Sequence, residues 1–278
     1  MNILELTTLI WFGSLFAGFL GALTGLGGGV VIVPLLTLVF GVDLRYAVGA
    51  SLVSVIATSS GAASAYVKAG FTNMRIGIFL EVATTTGALA GAFVAAFLSP
   101  SIVAVIFGVV LALSALFASQ PRRTHADPRP PDPFAARLRL DGSFPAREGI
   151  IDYNVRGVPG GFGLMFVAGG LSGLLGIGSG ALKVLAMDQV MRIPFKVSTT
   201  TSNFMIGVTA AASAGVYLNR GYIDPGLAMP VVLGVLPGAF LGTRFLAGAK
   251  TKWLRRVFAA VILVLAVQMI YSGITGKL

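Results

Sequence analysis

Polar residues are sparse along this chain and gather in a few clusters. Between them run apolar windows at 6–23, 30–40, 47–67, 76–98, 102–118, 160–175, 197–218, 225–246 and 257–270. Several exceed the roughly 20 residues needed to cross about 30 Å of hydrocarbon. The pattern predicts a bundle of membrane-spanning helices. The second window is the exception: at 1.5 Å per residue, its roughly 13 residues rise about 20 Å, short of a span. It follows the turn Gly25-Leu26-Gly27-Gly28-Gly29. The first two elements are therefore expected to form a hairpin with a glycine tip that either crosses the membrane or re-enters it, followed by three full-length helices.

The same order of windows then returns. A shift of 151 residues lays Gly176-Ile177-Gly178-Ser179-Gly180 on the first glycine turn, Ser202 on Ser51, Thr209 on Thr58, Tyr217 on Tyr66, and Gly238 and Gly242 on Gly87 and Gly91. The chain divides into a first repeat, 1–119, a polar linker, 120–159, and a second repeat, 160–278. The linker, rich in Pro, Arg and Asp, reads as a loop or short amphipathic segment. A hairpin returns the chain to the side it came from, and three crossings follow. Each repeat is then odd, and the second is inverted relative to the first. The fold class is an all-α polytopic membrane protein of two inverted repeats, about five hydrophobic segments in each.

Charge tests this arrangement through the positive-inside rule. One face receives Lys68, Arg75, the seven arginines of the linker, Arg192, Lys196, Lys250, Lys252, Arg255 and Arg256; the other receives Arg45, Arg220 and Lys277. Counting each hairpin as a single broken crossing splits the charges almost evenly. The lopsided assignment is preferred. It predicts a cytoplasmic linker and two extracytoplasmic termini in the plasma or inner membrane, and it accounts for most of the net charge of +10 without a nucleic-acid partner. Residues 1–6 lack the basic stretch of a cleaved signal peptide, so the first helix is expected to be retained.

Composition narrows the chemistry. A chain that is 56% hydrophobic and 11% charged, with mean hydropathy +0.90, cannot clothe a soluble surface. There is no cysteine, and the one histidine, His125, lies in the linker, so thiolate and imidazole metal sites are not expected and no cofactor is implied. Gly178-Ser179-Gly180 resembles the nucleophile turn of intramembrane serine proteases. A serine nucleophile needs a base, His125 is on the wrong element, and the repeat mate of Ser179 is the plain Gly28; the chain does not read as an enzyme.

The two glycine turns remain. Glycines spaced by four, as at Gly87 and Gly91 or Gly238 and Gly242, serve close helix packing. Four glycines in five residues at 25–29, and three in five at 176–180, break a helix instead, and broken backbone at membrane depth persists only when buried or lining a polar cavity. The short helix after each turn offers free N–H groups to an anion. Gly25, Gly27, Gly28, Gly29, Gly176, Gly178, Ser179 and Gly180 are candidate substrate contacts on that ground. Lys183 has two readings: it snorkels or pairs with Asp188, or it faces an anionic substrate. Its repeat mate is apolar, so the site would be asymmetric. Ser51, Thr201, Ser202 and Asn203 either cap and back-bond their helices or donate hydrogen bonds to an oxyanion. Glu81 and Arg244 lie at similar depths in equivalent elements and form a candidate ion pair; Glu81 is alternatively a site for a coupling proton.

Taken together, the duplicated turn from Gly21 to Val30, the motif Pro194-x-Lys196-x-x-x-Thr200-Thr201-Ser202-Asn203 and the Gly87 and Gly238 repeats resemble the TauE/SafE sulfite exporter family of membrane permeases, over nearly the whole chain. The resemblance implies transport of a small inorganic or organic sulfur oxyanion such as sulfite, thiosulfate or an organosulfonate such as sulfoacetate, across the lipid bilayer. It fixes neither the anion nor the direction, and it leaves channel or carrier, coupling ion and oligomerisation open.

Overall fold

The computed structural model describes residues 2–24, 28–68, 70–119, 132–146, 149–248 and 251–276. The first repeat holds α1 (Ile3–Thr24), α2 (Gly29–Pro34) continuing as a π-helical turn (Leu35–Val39), α3 (Leu44–Lys68), α4 (Met74–Ala95) and α5 (Pro100–Ser119). The second holds α7 (Val158–Leu175), α8 (Gly180–Leu185) with its π-helical turn (Ala186–Val190), α9 (Phe195–Asn219), α10 (Pro225–Gly248) and α11 (Thr251–Ile274). The short helices, their π turns and the central helices α3 and α9 begin and end at positions related by the same shift of 151 residues, as Gly29 is to Gly180 and Leu44 to Phe195.

The linker holds more order than its composition suggests. It contains α6 (Pro133–Arg137) and an antiparallel hairpin of β1 (Gly142–Ala146) and β2 (Gly149–Tyr153), with Ser143 opposite Asp152. The strand-forming run Gly149-Ile150-Ile151-Asp152-Tyr153 is too short to stand out beside the surrounding Pro and Arg. Tyr153 anchors the hairpin: its buried hydroxyl accepts a 2.8 Å bond from Asn73 Nδ2, while burial pushes the phenol above its usual range and keeps it neutral.

α1, α4, α7 and α10 carry windows long and apolar enough to span a bilayer, at 4–21, 74–95, 158–175 and 225–242. Their large apolar side chains point outward, as at Phe12 and Phe16, Ile78 and Val82, Phe166 and Val167, and Phe240 and Leu241. Such a surface is stable against lipid tails and not against water. The chain is thus an all-α membrane protein in its transmembrane body.

Glycines set the helix pairs. A Cβ on Gly87 would strike the Phe166 carbonyl and one on Gly169 the Thr84 carbonyl, so α4 and α7 touch backbone to backbone. The same contacts recur between α10 and α1, Gly238 against Leu15 and Gly18 against Val235, each residue being the repeat mate of its counterpart. This is the close approach that small residues permit where no water drives helices together.

Inside these pairs lie α3 and α9, packed on one another. Both are threaded with hydroxyls, and Ser51, Ser54, Thr201, Ser202, Thr209 and Ser213 are buried. The start of α3 lies beside the loop after α9, where the Arg45 guanidinium sits 5.6 Å from the Tyr222 ring. The start of α9 lies beside the loop after α3, where Lys196 Nζ sits 3.6 Å from the Phe71 ring. Arg45 and Lys196 are repeat mates, as are Phe71 and Tyr222.

Candidate functional site

Gly29, at the described end of the first glycine turn, meets the second turn among buried helices. A Cβ on Gly29 would lie 2.7 Å from Ser51 Oγ and 2.9 Å from the Gly176 carbonyl, so the first tip abuts the second with Ser51 between them. Ser51 Oγ donates a 2.7 Å bond to that carbonyl. Gly176 and Gly178 have φ of 68° and 70°, a left-handed conformation that glycine adopts without penalty. Ser179 follows at φ 44°, unusual for a residue with a side chain, and opens α8. Val30 from the first tip, Ile177, Ser179, Gly180, Ala181 and Leu182 from the second, and Val110 and Ser114 of α5 enclose a cavity with space for about one water. Gly25 and Gly27 lie outside the described residues.

Lys183, one turn into α8, is completely buried. Its Nζ donates a 2.6 Å bond to Thr209 Oγ1 on α9. Thr209 Oγ1 lies 2.7 Å from Glu81 Oε1 on α4, which also accepts a 3.0 Å bond from Thr85. Three elements thus converge on one hydroxyl, with an ammonium on one side and a carboxylate on the other. The other carboxylate oxygen, Glu81 Oε2, is buried without a hydrogen-bond partner. An isolated buried charge is costly, and breaking a buried pair by removing one member leaves the other uncompensated. Neither charge is duplicated: the mate of Lys183 is the buried Ile32, and the mate of Glu81 is Val232.

The remaining candidates fall into place around these two features. The hydrogen bond of Lys183 runs across to α9 rather than along its own helix to Asp188, whose carboxylate accepts a 2.6 Å bond from Gln189 Nε2. The pairing of Glu81 with Arg244 was expected from equal depth. Glu81 Oε1 accepts from Thr209 Oγ1, and α4 packs on α7 and α9 while α10 packs on α1 and α3. The Arg244 side chain lies outside the described residues. Ser202 Oγ reaches the Gly180 carbonyl at 3.4 Å. Thr201 Oγ1 accepts from the Asn73 N–H, and Thr200 Oγ1 reaches the Phe71 carbonyl at 2.9 Å, so these two hold the loop before α4. Asn203 is half-buried. The Ser179 hydroxyl is buried and has no hydrogen-bond partner, and Lys183, the one base within a turn of it, is engaged with Thr209. Thr209, Thr85 and Asn73 were not among the expected site residues. Thr209 stood out in the sequence only as the mate of Thr58; its role needs the crossing of α8, α9 and α4.

A family model described as sulfite exporter TauE/SafE matches residues 10–269. Among relatives, the probable membrane transporter protein YunE of Bacillus subtilis is 28% identical over 94% of this chain and 96% of its own. A probable membrane transporter protein of Xylella fastidiosa is 26% identical over 98% of each chain, and MJ0441 of Methanocaldococcus jannaschii, also described as a probable membrane transporter protein, 24% over 96% of each. No solved structure matches the chain.

Proposed function

The chain belongs to the sulfite exporter TauE/SafE family, and from that premise we propose that this membrane transporter is a secondary carrier for a small sulfur oxyanion such as sulfite, thiosulfate or an organosulfonate. The observation that carries the reading is the fully buried Lys183, one turn from the meeting point of the two glycine tips. A cation in that position needs a counter-charge, and the tips are where a broken backbone can line a substrate path. The anion is taken to bind between Lys183 and the turns Gly25 to Gly29 and Gly176 to Gly180, with Ser51, Ser202 and Asn203 within the same central layer. Space for about one water between the tips means that the hairpins part to admit it.

The two repeats are read as inverted across the bilayer, because the start of each central helix meets the loop that follows the other. On that reading each end of the molecule offers one route to the same centre, as alternating access requires.

The test is reconstitution in liposomes with ³⁵S-thiosulfate, and with sulfite and sulfoacetate as competitors against chloride. Saturable uptake and counterflow are expected. Lys183→Met is expected to raise the half-saturating concentration at least about tenfold, the worth of one charge-assisted hydrogen bond. Unchanged affinity in that variant removes Lys183 from the site, and flux without counterflow makes the protein a channel.

A further inference from the structure

The chain from Lys183 through Thr209 to Glu81 does more than neutralise a lysine. Thr209 Oγ1 has a single proton and two acceptors in reach, Glu81 Oε1 at 2.7 Å and the Met205 carbonyl of its own helix at 2.9 Å. It also accepts from Lys183. With Glu81 ionised, the hydroxyl proton points to the carboxylate and the three groups form a closed chain. With Glu81 protonated, the acid proton is donated to Thr209 Oγ1, the threonine proton turns to Met205, and nothing negative is left to hold the ammonium. The two arrangements differ by one proton and one hydroxyl rotation. Glu81 Oε2 is buried with no protein group donating to it, so the ionised carboxylate is held through Oε1 alone.

No other charge competes for this role among the described residues around α4. α7, packed along it, has no ionisable side chain. On α9 the charge is Lys196, at the end of the helix against Phe71. On α4 itself Arg75 reaches the Arg139 carbonyl of the linker, whose Asp141 accepts from the Val155 N–H. Asp188, beyond α8, accepts from Gln189. Lys183 alone faces Glu81.

We propose that Glu81 is the proton site of this carrier: an anion takes Lys183 from the Thr209–Glu81 chain only as Glu81 takes up a proton, so that one proton travels with each anion. The proposal rests on the anion-site reading of Lys183. A thiosulfate dianion and an ionised Glu81 place three negative charges beside one buried ammonium, and a proton on Glu81 lowers that surplus by one. Binding of the two is then reciprocal, each tightening the other. The bookkeeping involves only an O–H bond formed on Glu81 from a proton of the solvent and broken again on release.

Thiosulfate is the probe, because it stays fully ionised between pH 6 and 8 and any dependence on pH belongs to the protein. Its binding to the detergent-purified full chain should tighten as pH falls, by up to about tenfold per pH unit for one linked proton. In Glu81→Gln the affinity should no longer change with pH. Wild-type protein in liposomes loaded with a pH-sensitive dye should acidify the lumen as thiosulfate enters with the membrane potential clamped. That second measurement stands whether or not Glu81→Gln folds. Wild-type protein that takes up thiosulfate without proton movement overturns the proposal and leaves the transport reading intact. A Glu81→Gln protein that keeps the wild-type pH dependence assigns the proton elsewhere and overturns it too. Wild-type protein that binds none of thiosulfate, sulfite and sulfoacetate overturns the anion site itself, and the coupling with it.

Discussion

A single methyl group separates tolerated from damaging changes at the tips. Gly28 has ordinary helical angles, φ −64° and ψ −24°, and a Cβ there would meet Ile32 and Val235 at 3.4 and 3.5 Å, ordinary contact. Gly178 has φ 70°, and its Cβ would press on Ile206 at 2.8 Å. Gly178→Ala is therefore expected to cost about 1–2 kcal/mol from the left-handed backbone alone, with more from the crowding, and to lower the unfolding midpoint of the purified protein. Gly28→Ala should leave the midpoint almost unchanged. Equal shifts would mean that the tips yield without strain. At this scale the sequence was informative about cost and poor about direction. A lysine one turn past a glycine tip had to have a reason to be there, and Lys183 does. Its partners were out of reach, because spacing along a helix gives depth in the membrane but not which helix faces which. That is why depth alone matched Glu81 to Arg244, while the hydroxyl beside it, Thr209, lies on α9, whose charge, Lys196, sits at the end of the helix and draws no attention to it.

Elements pair through glycine stripes, and each pair is made twice. Gly87, packed on the Phe166 carbonyl, and Gly238, packed on the Leu15 carbonyl, hold the outer helices at backbone contact. Gly87→Leu cannot be accommodated by a side chain turning aside, since the obstacle is main chain. The variant is expected to lose the sharp, monodisperse peak of the wild type in detergent. Gly215→Leu, on a part of α9 where a Cβ meets nothing within 4 Å, should keep it. If both variants remain monodisperse, the stripe does not govern the α4 and α7 pairing. The helices themselves were legible in the apolar windows, and the duplication made even the short hairpin arms visible, because a feature too brief to trust once was repeated at the same spacing. The β-hairpin of the linker had no such second copy. In β2, Ile150 and Ile151 are exposed and only Tyr153 is buried, so no alternation marks that strand.

At the scale of the whole molecule, the charges separate by end. Arg75 reaches the Arg139 carbonyl, Asn73 reaches the Leu140 carbonyl and Tyr153, and the Arg156 N–H donates to the Met191 carbonyl, so the linker, the loop before α4 and the loop before α9 share one end. Arg220 donates to the Ala92 carbonyl, and Arg45 lies beside Tyr222, at the other. Arg137, Arg139, Arg156 and Arg192 join Arg75 and Lys196 at the first end, against Arg45 and Arg220 among the described residues at the second. A cytoplasmic leaflet retains such an excess of Lys and Arg on its own side, so the end bearing the linker is expected to face the cytoplasm and the α4–α5 turn to face out. The chain has no cysteine to remove, and two exposed serines mark the two ends: Ser143 on β1 and Ser99 before α5. Ser99→Cys should react with a membrane-impermeant maleimide added to intact cells, and Ser143→Cys only after the membrane is opened. The reverse pattern would invert the orientation while leaving the fold intact. Labelling of both from outside would mean that the two ends do not lie on opposite sides of the bilayer, and the inverted relation of the repeats would fall with it.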